Sequence, residues 1–201
     1  MSNVAELIYK GKYKLEDALS ELDDKRAQLL RQSLGYFYMA EQEPNLTDDD
    51  KIEIYSYSAI GYCYLKEWHL SLKYENLTYD IKPKHHRAKI AEAFRLMCSL
   101  DGVTYGELHE TVECFQEYYQ NIKPDEENHD DLFFELSMDT FVLNDLAVNL
   151  DGDCTCICDC ILSAPWDTLI YKFKDPETIK TLKNCIEDFK AEVHFLLAMM
   201  E

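Results

Sequence analysis

A chain of 201 residues, 47% hydrophobic and 12% aromatic with only 6 Gly and 5 Pro, is long enough to bury a sizeable apolar core without help from disulfides. Its 39 acidic against 20 basic side chains give a formal net charge of -19, a field that repels phosphate backbones and anionic lipid and so argues against direct nucleic-acid or membrane binding. The same field would speed encounter with a basic partner, although carboxylates kept for solubility account for it equally well.

The opening stretch, MSNVAELIYKGKYKLEDAL, lacks the continuous apolar centre of a secretory signal, and no stretch approaches the roughly 20 apolar residues of a membrane span. The expectation is a soluble intracellular protein, cytoplasmic or nuclear. Apolar residues recurring every three or four positions predict helices at about 4–20, 22–42, 48–66, 68–81, 85–100, 105–122, 126–149 and 154–172. Thr47 before Asp48, Asp49 and Asp50 reads as a cap with an acidic first turn, and Asp125, Glu126 and Glu127 open another helix in the same way. The last segment is the most periodic, through Ile179, Leu182, Ile186, Phe189, Val193, Leu196 and Leu197. Asp175, Pro176 and Glu177 start it with a cap acceptor, a first-turn proline and a favourable dipole charge. No run alternates as a strand would, so the fold class is all-α.

Pro44, Pro83 and Pro124 each follow a predicted helix end at intervals of about 40 residues, a spacing that suggests helix-pair repeats. Residues 59–83, AIGYCYLKEWHLSLKYENLTYDIKP, carry the pattern best. Gly61 takes a small position, Tyr64 an aromatic one a turn later, Trp68 the start of a second helix, Ser71 a small residue packing back, and Pro83 the close. In this the segment resembles a tetratricopeptide repeat. It departs in a turn, Leu65 to Glu67, about two residues shorter than the family's, and in Ser71 and Thr78 for the usual alanines, whose hydroxyls can bond carbonyls one turn back. A weaker likeness runs over 86–124, with Ala91, Ala93, Gly106, Leu108 and Thr111 at small or apolar positions and a longer turn, SLDGVTYG. Residues 22–44, with Leu30, Leu34, Tyr36 and Phe37, fit the closing half of a degenerate unit.

The resemblance implies a single all-α domain over 1–201, an antiparallel helix-pair array or α-solenoid. Repeats at 48–83 and 86–124 would follow the degenerate half, with C-terminal helices from 125 to 201 capping the apolar end. It further implies a non-catalytic adaptor or scaffold subunit, without cofactor, that grips a peptide or helix of another protein, a basic one by charge, in a groove. The groove positions would be Tyr55, Ser58, Tyr62 and Leu65 on one first helix and Arg87, Ile90, Phe94 and Met97 on the next; packing against flanking helices is the competing reading for each. The apolar end leaves room for a homodimer through the last helix. Ser58 and Ala91 stand where relatives that clamp a chaperone tail carry asparagine and a cation, so that role does not transfer.

Two strings lie outside the repeat. In CTCICDC, Cys154, Cys156, Cys158 and Cys160 alternate, and four thiolates could hold zinc or a softer metal. The spacing differs from paired zinc-finger ligands, so plain packing thiols compete with the alternative function, a metal- or redox-responsive protein. Cys63, Cys98, Cys114 and Cys185 fall in helical apolar patterns and are expected mostly in the core. KPKHHRAK groups Lys82, Lys84, His85, His86, Arg87 and Lys89, an acidic-ligand candidate whose plainer reading is a solvated inter-repeat turn. No phosphate loop, dinucleotide fingerprint, nucleophile elbow or HExxH pair occurs, which argues against an enzyme.

Overall fold

The computed structural model describes residues 3–98, 102–121, 129–149 and 176–200, which fall into two compact units, Met1–Gly102 and Val103–Glu201. Among the described residues there are eight helices and no strand, so the protein is all-α. The predicted helix at 154–172 lies outside the described residues.

The first unit contains α1 (Asn3–Leu19), α2 (Asp23–Glu41), α3 (Asp48–Tyr64), α4 (Trp68–Ile81) and α5 (His86–Met97). Their starts fall within a residue of those expected from periodicity and capping. Thr47 does cap α3: its hydroxyl accepts from the Asp50 amide at 3.1 Å while the Asp50 carboxylate accepts from the Thr47 amide at 2.9 Å. Helix α3 ends earlier than expected because Lys66 turns left-handed (φ 59°). The Glu67 amide then donates to the Tyr62 carbonyl at 3.0 Å and the Lys66 amide to that of Cys63 at 2.9 Å. These bonds satisfy the end of α3 with a Schellman motif and make the short turn possible.

Helix α1 pairs with α2 and α3 with α4, while α3 also packs on α1, α2 and α5, and α4 on α5. Being touched from four directions, α3 is buried almost all round, and Ser56, Ser58, Ala59 and Gly61 keep it slim enough for that. Gly61 does so against α2: a Cβ there would stand 3.0 Å from the Leu34 side chain. In a tetratricopeptide unit the small residue at the Gly61 position would admit the second helix; here Ser71 makes the close approach of α4, its hydroxyl reaching the Ala59 carbonyl oxygen at 3.1 Å. At 100° per residue Gly61 points almost opposite to Ala59 and Cys63, which face α4 and α5. Gly11 plays the corresponding part between α1 and α2, since a Cβ there would lie 2.5 Å from the Phe37 ring.

The second unit holds α6 (Tyr105–Asn121), α7 (His129–Asn149) and α8 (Pro176–Met200), with α8 packed on α7. Thr104 and Glu107 form a capping box at the start of α6. The Tyr119 phenol donates to the buried Asp139 carboxylate at 2.6 Å, tying α6 to α7. Leu108, Val112 and Phe115 of α6, and Leu136, Val142, Leu143 and Leu146 of α7, are buried apolar positions of this unit. Helix α5 thus belongs to the first unit and α6 to the second, so the likeness over 86–124 spans the boundary between them. Charge divides unevenly as well. The first unit carries 14 Lys and Arg against 17 Asp and Glu, the second 6 against 22, for net charges of -3 and -16.

Candidate functional site on the two sides of helix α3

Glu53 and Tyr57 lie one turn apart on the side of α3 that faces α1 and α5. The Glu53 carboxylate accepts from Lys12 Nζ of α1 at 2.9 Å and from an Arg87 guanidinium nitrogen of α5 at 3.2 Å. The Arg87 guanidinium lies over the Tyr57 ring, 4.1 Å from its centroid, with Lys12 Nζ at 5.3 Å, and Phe37 of α2 stacks on Tyr57 at 5.9 Å and 6°. Arg87 is fully buried. Its planar fork stacks flat on the ring while it bonds the carboxylate, whereas the Lys12 ammonium beside it acts as a point charge from farther off.

The opposite side of α3, facing α2 and α4, carries a tyrosine cluster. Tyr62 stacks on Tyr74 of α4 at 5.5 Å and 13°, and Tyr55 leans on the same ring at 5.9 Å and 45°. The Tyr74 phenol donates to a Glu41 carboxylate oxygen of α2 at 3.0 Å, and Lys73 Nζ sits 4.6 Å from the Tyr74 centroid. Burial, then the nearby Glu41, push the Tyr74 phenol up; burial also raises Tyr55 and Tyr62, with Glu41 adding to Tyr55 and Glu67 and Glu41 to Tyr62. Tyr38, three residues before Glu41 and so on its face of α2, is 61% exposed.

Between α3, α4 and α5 runs a third polar group, in which Cys63, Ser71 and Glu75 are buried and Arg95 is partly exposed. Arg95 grips Glu75 through three contacts of 2.9 to 3.1 Å, and the Ser71 hydroxyl donates to Glu75 at 2.8 Å. The Cys63 thiol lies 3.0 Å from Ser71 and 3.2 Å from the Ala91 carbonyl oxygen. Burial pushes this thiol up to about 12, so it is not poised as a nucleophile at neutral pH, and burial also raises the Glu75 carboxyl against the opposing pull of Arg95 and Ser71.

Of the nominated groove positions, Ser58, Arg87, Ile90 and Phe94 are buried, whereas Tyr55, Tyr62, Leu65 and Met97 are partly exposed. Tyr55 and Tyr62 face the second helix of their pair instead of pointing away from it; the α1/α5 side is lined by Glu53, Tyr57 and Tyr64, the last leaning on Phe94 at 5.6 Å. The register is rotated because Gly61 serves α2, as described above. KPKHHRAK corrects another expectation. Lys82 and Lys84 are exposed, but His85, His86 and Arg87 are buried, since α5 begins at His86 and carries Arg87 onto the stripe shared with Ala91 and Phe94. The 87, 91, 94 spacing was visible in the sequence; the arginine hid it.

Cys63 and Cys114 are buried as expected of core thiols, while Cys98, at the end of α5, is exposed. The four alternating cysteines lie outside the described residues. Among the described residues no group of His, Cys, Asp and Glu is arranged to hold a metal ion, and no helix is long and apolar enough to cross a membrane. Comparison with family models, with curated proteins and with solved structures finds no match in any of the three.

Proposed function

We propose that the protein is a non-catalytic adaptor or scaffold subunit, built as stacked antiparallel helix pairs of the tetratricopeptide kind, that holds a segment of another protein. The observation that carries this reading is the neighbour order of the first unit. The α1/α2 and α3/α4 pairs meet through α2 and α3, α1 touches α3, and α5 stands against both α3 and α4 as the first helix of a further pair would. The polar groups at its centre support the same reading, because the buried Cys63, Ser71 and Glu75 and the partly exposed Arg95 are engaged with one another. Such a network fixes helix register; it offers a substrate no opening.

Since half of the nominated groove positions are packed, the surface proposed for the partner is centred on Tyr55 and Tyr62, with Tyr38 at its border. Tyrosines suit that work, giving area and a hydroxyl at low entropic cost. The test is co-purification of cellular partners with the intact chain and with a Tyr55→Ala/Tyr62→Ala double variant. Loss of a specific partner from the folded double variant is expected, and an unchanged set of partners refutes the assignment.

A further inference from the structure

The tyrosine face contains the parts of the buried Arg87 site without its arginine. On the α1/α5 side, a tyrosine ring and a carboxylate receive one guanidinium, stacked at 4.1 Å and bonded at 3.2 Å. On the α2/α4 side, three clustered rings, Tyr55, Tyr62 and Tyr74, stand beside the Glu41 carboxylate. Among the described residues, the cation over them is the Nζ of Lys73, an exposed residue on a flexible stem. Tyr38 adds a fourth, largely exposed ring next to Glu41. We infer that this face receives an arginine side chain of the partner polypeptide, its guanidinium lying on Tyr62 and Tyr55 and pairing with Glu41.

Three features favour arginine over a neutral or acidic occupant. Ring faces attract cations, and a planar guanidinium both stacks and bonds a carboxylate fork to fork. Glu41 and Glu67 both act electrostatically on these phenols, so the rings stand in a partly negative field. The chain as a whole carries -19, of which the unit bearing this face holds -3, so long-range attraction of a basic segment adds to the local carboxylates without replacing them. Lys51 and Lys73 oppose this locally, which turns them into a handle: removing the lysine that shares the Tyr74 ring should improve the site.

The inference rests on the scaffold reading and is tested apart from it. The full chain, labelled with 3-fluorotyrosine and assigned by single Tyr→Phe variants, is titrated with an unstructured Gly-Ser peptide bearing two arginines, and with the same peptide carrying lysine or glutamine instead. The resonances of Tyr55, Tyr62 and Tyr74 should move with the arginine peptide, with about threefold weaker binding for lysine and tenfold or more for glutamine. Tyr62→Ala should weaken the arginine peptide about fivefold, Tyr62→Phe much less, and Lys73→Glu should strengthen it about threefold. Equal binding of the glutamine peptide at the same tyrosines overturns the cation preference and leaves the scaffold reading standing. Arginine binding that ignores Tyr62→Ala or Lys73→Glu, or no movement of these resonances with any peptide, overturns the site itself. Tyr62→Phe keeps the ring and guards against a variant that fails to fold.

Discussion

Helix α3 presents aromatic rings and a neighbouring carboxylate to both of its flanks, and the two flanks are finished differently. Toward α1 and α5, Lys12 and Arg87 of the same chain fill the arrangement, and Tyr57 and Arg87 are buried. Toward α2 and α4, the Glu41 carboxylate is bonded by a phenol, the cation present is a solvated lysine, and Tyr55 and Tyr62 keep partial exposure. The same chemistry therefore does two jobs. Where the cation is internal it locks helices together, and where it is left to an outside molecule it becomes a surface with something to bind.

The sharpest way to break this contrast is to remove the internal arginine. Arg87→Ala strips the stacked guanidinium from Tyr57 and leaves Glu53 with Lys12 in place of the Lys12 and Arg87 pair. It should lower stability by about 3 kcal/mol, read as a reduced midpoint in urea with an unchanged slope. Tyr62→Ala on the other flank, a partly exposed residue, should cost about 1 kcal/mol or less while it alters peptide binding. Equal costs at the two positions would dissolve the distinction.

Gly11→Ala asks how tightly the α1 wall of the filled flank is held. An added methyl would stand 2.5 Å from Phe37, the ring that stacks on Tyr57, so Phe37 or the α1 backbone must shift. A loss of about 1 to 3 kcal/mol is expected. Gly35, on the outward face of α2, has nothing within 4 Å of such a methyl, and Gly35→Ala should gain up to about 1 kcal/mol from helix propensity. The opposite signs of the two substitutions, measured by thermal melts, would separate packing from propensity within one helix pair.

Alkaline pH selects the tyrosine flank. The phenols of Tyr55, Tyr62 and Tyr74 are all raised in the folded protein, so folding favours their protonated forms. Their contribution is fully present below the ordinary tyrosine value of about 10 and is lost as pH climbs from there through the raised values. Unfolding free energy measured against pH should therefore fall above about 10, and the fall should be shallower in Tyr74→Phe, the most deeply buried of the three. An identical slope in that variant would remove the cluster from the account.

How much of this could be read from residues alone follows from the physics of each feature. The helix starts were legible, because Thr47 with its aspartates, or Pro176, act within a single turn and need no tertiary partner. Which flank each α3 residue faces was not. It depends on whether Gly61 admits α2 or α4, and both neighbours are apolar. Arg87 misled for a related reason: a cation in a run of lysines and histidines reads as solvent-facing, and the Glu53 and Tyr57 that help make its burial tolerable lie thirty or more residues earlier. The tyrosines at 55 and 62 were picked out as contact residues from spacing, but the Tyr74 ring and the Glu41 carboxylate beside them come from other helices and carry no local signal.

Lys66 offers the smallest and most selective probe. It closes the α3/α4 turn in a left-handed conformation (φ 59°) that a glycine adopts freely and a side chain does not. Lys66→Gly should relieve that strain. The gain is reduced by the wider freedom glycine enjoys in the unfolded chain, leaving about 0.5 to 1 kcal/mol. Lys66 is exposed in the turn beyond α3, so the gain should come without change in arginine-peptide affinity. If stability rises and affinity moves with it, the turn and the tyrosine face are coupled through the end of α3. Tyr62 would be the hinge of that coupling, since its backbone carbonyl accepts the Glu67 amide while its ring forms the face.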